Sequence, residues 1–266
     1  MISDFLTIIV LVISGFGSGM FVGMTSGTAG SFMIPCLTIF LGYSMHQVIG
    51  TNLIIDCIIG GVAGLIFLKN GNVDLRSVGP LICTGVIGAF IGSRFTSSAP
   101  ESGLHILIGA TLILLGANFI VNGIQSNINF IENRFNFNWF KKNKTLSFVV
   151  FGFVVGLISG FSGMGGGALF VIIFIFVLGY ELHIAIGTSL IMMFFIAGSG
   201  AIGHVFDGGV IVYAAMVAGG SAAVGAVSGS LFANRINENR LGRVIGVIIL
   251  VFGIAIILNM FFKMFI

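Results

Sequence analysis

Residues 41–54 read LGYSMHQVIGTNLI, and residues 178–191 read LGYELHIAIGTSLI. Nine of these fourteen positions are identical at an offset of 137 residues. The same offset runs on without gaps in both directions. It carries Gly15-Phe16 onto Gly152-Phe153, Gly19 onto Gly156 and Gly23 onto Gly160. It carries Gly30 onto Gly167, Gly71 onto Gly208 and Val73 onto Val210. Gly88, Gly92, Ser93 and Phe95 fall on Gly225, Gly229, Ser230 and Phe232, and Leu104 and Gly109 fall on Leu241 and Gly246. The sequence is therefore read as two repeats, 1–122 and 148–266, joined by 123–147. Internal duplication of a membrane unit is the usual architecture of secondary transporters.

Composition fixes the solvent. Of 266 residues, 57% are hydrophobic and 7% are charged, with a mean hydropathy of +1.19. Soluble domains carry about 25% charged residues, so the charge here is too sparse to solvate a globular surface. Spans need about 20 apolar residues each, and runs such as VIGVIILVFGIAIIL (244–258) supply them. The alternating pattern of a membrane barrel is absent. The expectation is an all-α polytopic membrane protein with eight to ten membrane segments. MISDFLTIIVLVISGFG at the start has no basic leader and no small-residue cleavage site, so it reads as a first span rather than a signal peptide. Cys36, Cys57 and Cys83 lie in apolar segments of the first half, and they read as small packing residues. No metal-ligand spacing is present, and no cofactor is expected.

Between the repeats lies GIQSNINFIENRFNFNWFKKNKTLS (123–147), with Arg134, Lys141, Lys142, Lys144 and the single Trp139. Basic residues beside spans mark the cytoplasmic side, and aromatics sit at headgroup level. This linker is expected in the cytoplasm, touching lipid rather than nucleic acid.

Each half holds a span, a glycine-rich break, a short apolar piece and three further spans. If the short piece only dips back, each half crosses four times and the repeats are parallel. If it crosses, each half crosses five times and they are inverted. The basic residues divide seven to four in the first arrangement and nine to two in the second. The positive-inside rule favours the inverted arrangement.

The breaks read GMTSGTAGSFMIP (23–35) and GFSGMGGGALFVI (160–172). Neither carries the GK[ST] of a phosphate loop. Irregular backbone inside a membrane survives only where protein or a cavity covers it. A short helix starting near Ser31 or Ala168 would aim its positive N-terminus inward. Two such ends could flank one small anion near the midplane. Gly27, Thr28, Gly30 and Ser31 of the first break and Gly165, Gly166 and Gly167 of the second are the candidate binding residues. Thr51 with Asn52, and Thr188 with Ser189, could add neutral hydroxyl and amide donors. They could equally cap a helix start. Glycines spaced by four, such as Gly15, Gly19 and Gly23, read as helix contacts.

Asp56 falls inside a span, four residues after Asn52 and so on the same helix face. An ionisable group at that depth is usually functional. A proton or sodium coupling role is one reading. A protonated carboxyl bonded to a nearby backbone carbonyl is the other. Its counterpart is Met193, so any coupling would be asymmetric. His46 and His183 could carry protons, or hold the turn in which they sit. His204 and Asp207, in GHVFDGG, read as interfacial.

A glycine-rich break, Pro35 in the short piece, LGY…H…IGT[NS]L and GNVD (71–74), with their second-half counterparts, resemble the sulfite exporter TauE/SafE family, also called the 4-toluene sulfonate uptake permease family. The resemblance covers the chain outside the linker. The first half departs from the pattern. Thr28 and Ala29 replace glycines of the break, and Asn52 replaces the serine of GTS. Ile172 stands where the first half has Pro35. The resemblance implies a transporter of sulfite, sulfoacetate or related organosulfonates across the bacterial inner membrane. The residues alone reach only a small anion held by backbone N–H and hydroxyl groups. An intramembrane enzyme is disfavoured, since GxSxG after a strand and HExxH are both missing. A channel would need a continuous polar stripe, and only two local polar clusters appear. Oligomeric state is open, a homodimer included.

Overall fold

The computed structural model describes residues 2–96, 100 and 144–235. The ranges 103–122, 244–258 and most of the linker lie outside the described residues, along with Arg134, Trp139, Lys141 and Lys142. The described residues form helices joined by short breaks and loops, with no strand among them, in an order that repeats. Helix α1 (Ile2–Thr25) is followed by α2 (Gly30–Pro35), which widens into a π-helical turn at Cys36–Phe40. Then come α3 (Met45–Lys69) and α4 (Leu75–Thr96). The second set is α5 (Lys144–Ser162), α6 (Gly167–Ile172) with a π-turn at Ile173–Val177, α7 (Leu182–Phe206) and α8 (Val212–Ala233). Helix α5 begins inside the range read as linker. Among the described residues four helices, at Phe5–Thr25, Met45–Lys69, Leu182–Phe206 and Val212–Ala233, are long and apolar enough to cross a membrane.

The π-turn is not a consequence of Pro35. Ile172 occupies the matching place, and the same widening follows it. Each short helix then ends on a left-handed glycine, Gly42 at φ +69° and Gly179 at φ +71°. The next residue closes the end in both: the Tyr43 N–H donates to Leu37 O at 3.0 Å, and the Tyr180 N–H to Phe174 O at 2.9 Å. This is what the LG of each LGY does. Only glycine enters the left-handed region without steric penalty, so it stops the helix and re-aims the chain.

Small residues set the helix pairing. Gly15, Gly19 and Gly23 of α1 meet Ala218, Ala222 and Ala226 of α8 in the same order, so these helices run parallel. A Cβ on Gly19 would stand 1.9 Å from the Ala222 carbonyl oxygen. Gly152, Gly156 and Gly160 of α5 meet Leu81, Gly85 and Ala89 of α4 in the same way. Close backbone approach of this kind replaces the hydrophobic driving force that lipid removes.

Helices α3 and α7 pack along each other at the centre. Gly50 faces His204, Leu53 faces Gly200, Gly60 faces Phe194 and Gly64 faces Ile191, so the two run antiparallel. They are the pair related by the 137-residue offset. Parallel repeats would point them the same way. Their opposition is the direction that an inverted arrangement requires.

Candidate functional site

The two breaks come together in the core. Gly167, at the start of α6, lies so close to the first break that a Cβ there would stand 2.3 Å from Ser26 O. Gly165 lies against Asp56 of α3, and its Cβ would stand 2.6 Å from Asp56 Oδ2. Gly163 lies against Ile49 of α3. Both breaks therefore meet around the middle of α3, in a region closed to solvent. Ser26, Asn52, Asp56, Ser159 and Ser189 are fully buried, and Thr28 and Ser31 nearly so.

Asp56 is the hub. Its Oδ1 accepts the Ala29 N–H at 2.7 Å. Its Oδ2 accepts the Thr28 hydroxyl at 2.9 Å and Asn52 Nδ2 at 3.1 Å. These partners are donors, as an ionised carboxylate needs, and none is a backbone carbonyl. Asn52 Nδ2 also donates to Gly163 O at 2.7 Å, tying α3 to the second break. Thr28 Oγ1 in turn accepts the Gly30 N–H at 3.0 Å. The candidates Thr28, Gly30 and Asn52 are thus brought into one network with Asp56. Gly27 is held just outside it, donating its N–H to Thr25 Oγ1 at 2.9 Å.

Four buried polar atoms in and beside this region have no partner: Ser26 Oγ, Ser31 Oγ, Asn52 Oδ1 and Ser159 Oγ. Buried polar groups are nearly always satisfied, so such a group is unusual in a native core. Four in one neighbourhood fit a place built to receive a polar guest. Ser26 and Ser159 are residues the sequence reading did not single out. In sequence Ser26 is marked only by standing opposite Gly163 in the repeat, and in the structure it is a non-glycine at φ +52°. Ser159 approaches from α5, where a Cβ on Gly166 would stand 3.4 Å from its own Cβ.

The Gly-Thr of the repeated motif is placed differently. Thr51 Oγ1 accepts the Ile211 N–H at 2.9 Å and donates to Gln47 O at 2.7 Å. Thr188 Oγ1 accepts the Asp74 N–H at 3.0 Å. Ile211 and Asp74 are themselves related by the offset. The preceding glycine gives the approach its room: a Cβ on Gly50 would stand 2.1 Å from Gly209 O, and one on Gly187 2.0 Å from Asn72 O. Each Gly-Thr is a socket for the α3–α4 or α7–α8 loop of the opposite half. Ser189 donates its hydroxyl to Ile186 O in its own helix, 2.9 Å away.

The histidines stand apart from Asp56's hydrogen bonds. His183 Nε2 lies 3.0 Å from Ala233 O at the end of α8. His46 is half-buried, and its backbone carbonyl faces Gly209. His204, read as interfacial, stands in the last turn of α7. It is buried beside Gly50, with Nε2 3.1 Å from Gly160 O. Two glycines leave the space that admits the ring. Asp207 alone reaches the surface, where it pairs with Arg94. The cysteines are free, with Cys36 and Cys57 half-buried and Cys83 exposed. Among the described residues, no group of three His, Cys, Asp or Glu side chains could hold a metal.

The family model described as Sulfite exporter TauE/SafE matches residues 10–256. A curated relative, the probable membrane transporter protein YdhB of Bacillus subtilis (strain 168), is 30% identical over 109 residues. That stretch is 41% of this chain and 44% of the relative, so the match spans less than half of either. No solved structure matches.

Proposed function

The chain belongs to the sulfite exporter TauE/SafE family, and on that premise we propose that it is a secondary transporter of small sulfur-containing anions. Sulfite, sulfoacetate and related organosulfonates are the candidate cargo. The anion binds where the two breaks meet, and N–H and hydroxyl groups of both halves hold it. Neutral donors suit a carrier, which must release what it binds. Alternating access follows from rocking one helix set against the other about the centre. In this reading residues 123–147 face the cytoplasm of a bacterial inner membrane.

One observation carries the proposal most. Two non-helical segments from opposite halves converge in a buried core beside four polar atoms without partners. Irregular backbone at membrane depth is tolerated where it is covered by protein or lines a cavity. The family supplies the sulfur chemistry.

Counterflow in proteoliposomes tests it. Unlabelled sulfoacetate trapped inside should drive saturable uptake of labelled sulfoacetate, whereas trapped acetate or malonate should not. Counterflow with carboxylates alone would reassign the cargo. Flux that never saturates would favour a channel. No counterflow with any sulfur oxyanion would overturn the reading.

A further inference from the structure

When ionised, the hub carboxylate is itself an anion, and from α3 it reaches the first break. Asp56 takes up the Ala29 N–H, the Thr28 hydroxyl and the Asn52 amide together. These are donors that a cargo anion would need on that side. On its other flank the carboxylate touches Gly165 of the second break. The unpartnered Ser26 Oγ, Ser31 Oγ, Ser159 Oγ and Asn52 Oδ1 leave hydrogen-bonding capacity unused in the same region, independently of Asp56.

Resting on the reading of the chain as an anion transporter, we propose that Asp56 is a built-in competitor of the cargo, which proton binding removes. Ionised, the carboxylate holds the donors of the first break, and its charge repels a second anion. Protonated, it releases them and offers its own O–H. One proton from the bulk and one anion then enter the site together. The second half has Met193 at the matching place, so one carboxylate serves both breaks.

The surroundings leave Asp56 in charge of this step. Its bonded partners are neutral. On α3 itself the other titratable side chains are His46, Cys57 and Lys69, with Cys57 next to Asp56 in sequence. Helices α1, α2, α7 and α8 pack against α3. On these helices and the π-turn after α2, the described titratable side chains are Cys36, His183, His204 and Tyr213. Cys36 is half-buried in the π-turn, His183 lies at Ala233 O, His204 lies at Gly160 O and Tyr213 is exposed.

Two measurements on the purified full chain in nanodiscs test the proposal. The first titrates sulfoacetate, whose charge is fixed across the neutral range, into wild type and Asp56→Asn at several pH values. Wild-type apparent affinity should fall by about tenfold per pH unit once the protonated fraction becomes limiting. Binding should take up one proton, seen by comparing buffers of different ionisation heat. Asp56→Asn should bind with the acid-limit affinity at every pH and take up no proton. A flat wild-type profile, or an Asn variant that keeps the slope, overturns the proposal.

The second measurement uses no anion. Amide hydrogen exchange over residues 26–32, corrected for intrinsic rates, should speed up on acidification of wild type and be fast in Asp56→Asn. Exchange indifferent to both would mean that Asp56 does not hold the break, and the proposal falls whatever the cargo. Exchange that responds while sulfoacetate binds neither protein would sink the sulfur-anion reading and leave the clasp standing. If Asp56→Asn does not fold, the wild-type pH series and proton count decide alone.

Discussion

The two breaks occupy matching places in the two halves and are built by different means. The second is shaped by backbone freedom. Gly163, Gly165 and Gly166 sit at φ +73°, +60° and +79°. The first has only Ser26 in that region, and Ala29 keeps an ordinary φ of −59°. It is shaped instead by side chains, with Asp56 and Thr28 bonding the turn from within. One half spends glycines, and the other uses a buried carboxylate. A chain can thus keep irregular backbone inside a membrane either by lowering its strain or by satisfying its polar groups. Only the second way installs a charge.

Mutations can break this comparison. Asp56→Ala should do the most harm, because it strips the acceptor from three buried donors. Each such loss costs about 1–3 kcal/mol, so a deficit of about 3 kcal/mol or more is expected in a denaturation series. At the matching place, Met193→Leu keeps volume and should stay within about 1.5 kcal/mol. Equal effects would mean that the first break does not depend on the carboxylate. Gly165→Ala comes next. The left-handed backbone alone costs an alanine about 1–2 kcal/mol, and its Cβ would press on Asp56. It should lower the melting temperature and loosen the first break as well as the second, read as faster amide exchange over residues 26–32.

Thr51→Val and Thr188→Val test the part of the molecule that is symmetric. Each leaves one loop N–H of the opposite half without its acceptor, at about 1 kcal/mol. The two losses should be equal within error, and a one-sided loss would show that only one socket bears on stability. The smallest effect is a gain. Ser26→Gly gives the first break the residue of its counterpart and should stabilise by up to about 1 kcal/mol, measured by thermal unfolding. If transport falls at the same time, the Ser26 hydroxyl serves the cargo. Gly163→Ser should move stability the other way.

The fold was legible because duplication and glycine spacing are local signals. The offset gives the element bounds: α3 (Met45–Lys69) and α7 (Leu182–Phe206) differ by 137 at both ends. The breaks were legible because clustered glycines have few other uses between apolar spans. Asp56 stood out because a carboxylate is rare at that depth. The role of Gly50-Thr51 was harder to see. Its partner, the loop at Gly209–Ile211, lies far along the chain, and a hydroxyl aimed at cargo looks the same in sequence as one aimed at a loop. The burial of His204 was hidden for a similar reason. It depends on Gly50 and Gly160, which no periodicity connects to it. Ser26 and Ser159 look like ordinary helix-packing serines until their hydroxyls are found without partners.

In the proposed transport cycle one anion bridges both breaks. Amide exchange of the wild-type chain with and without saturating sulfoacetate tests it most directly, followed over residues 23–35 and 160–172. Protection should rise in both segments together and at the same anion concentration. Protection of one segment alone, or of neither while the anion is bound, would contradict it.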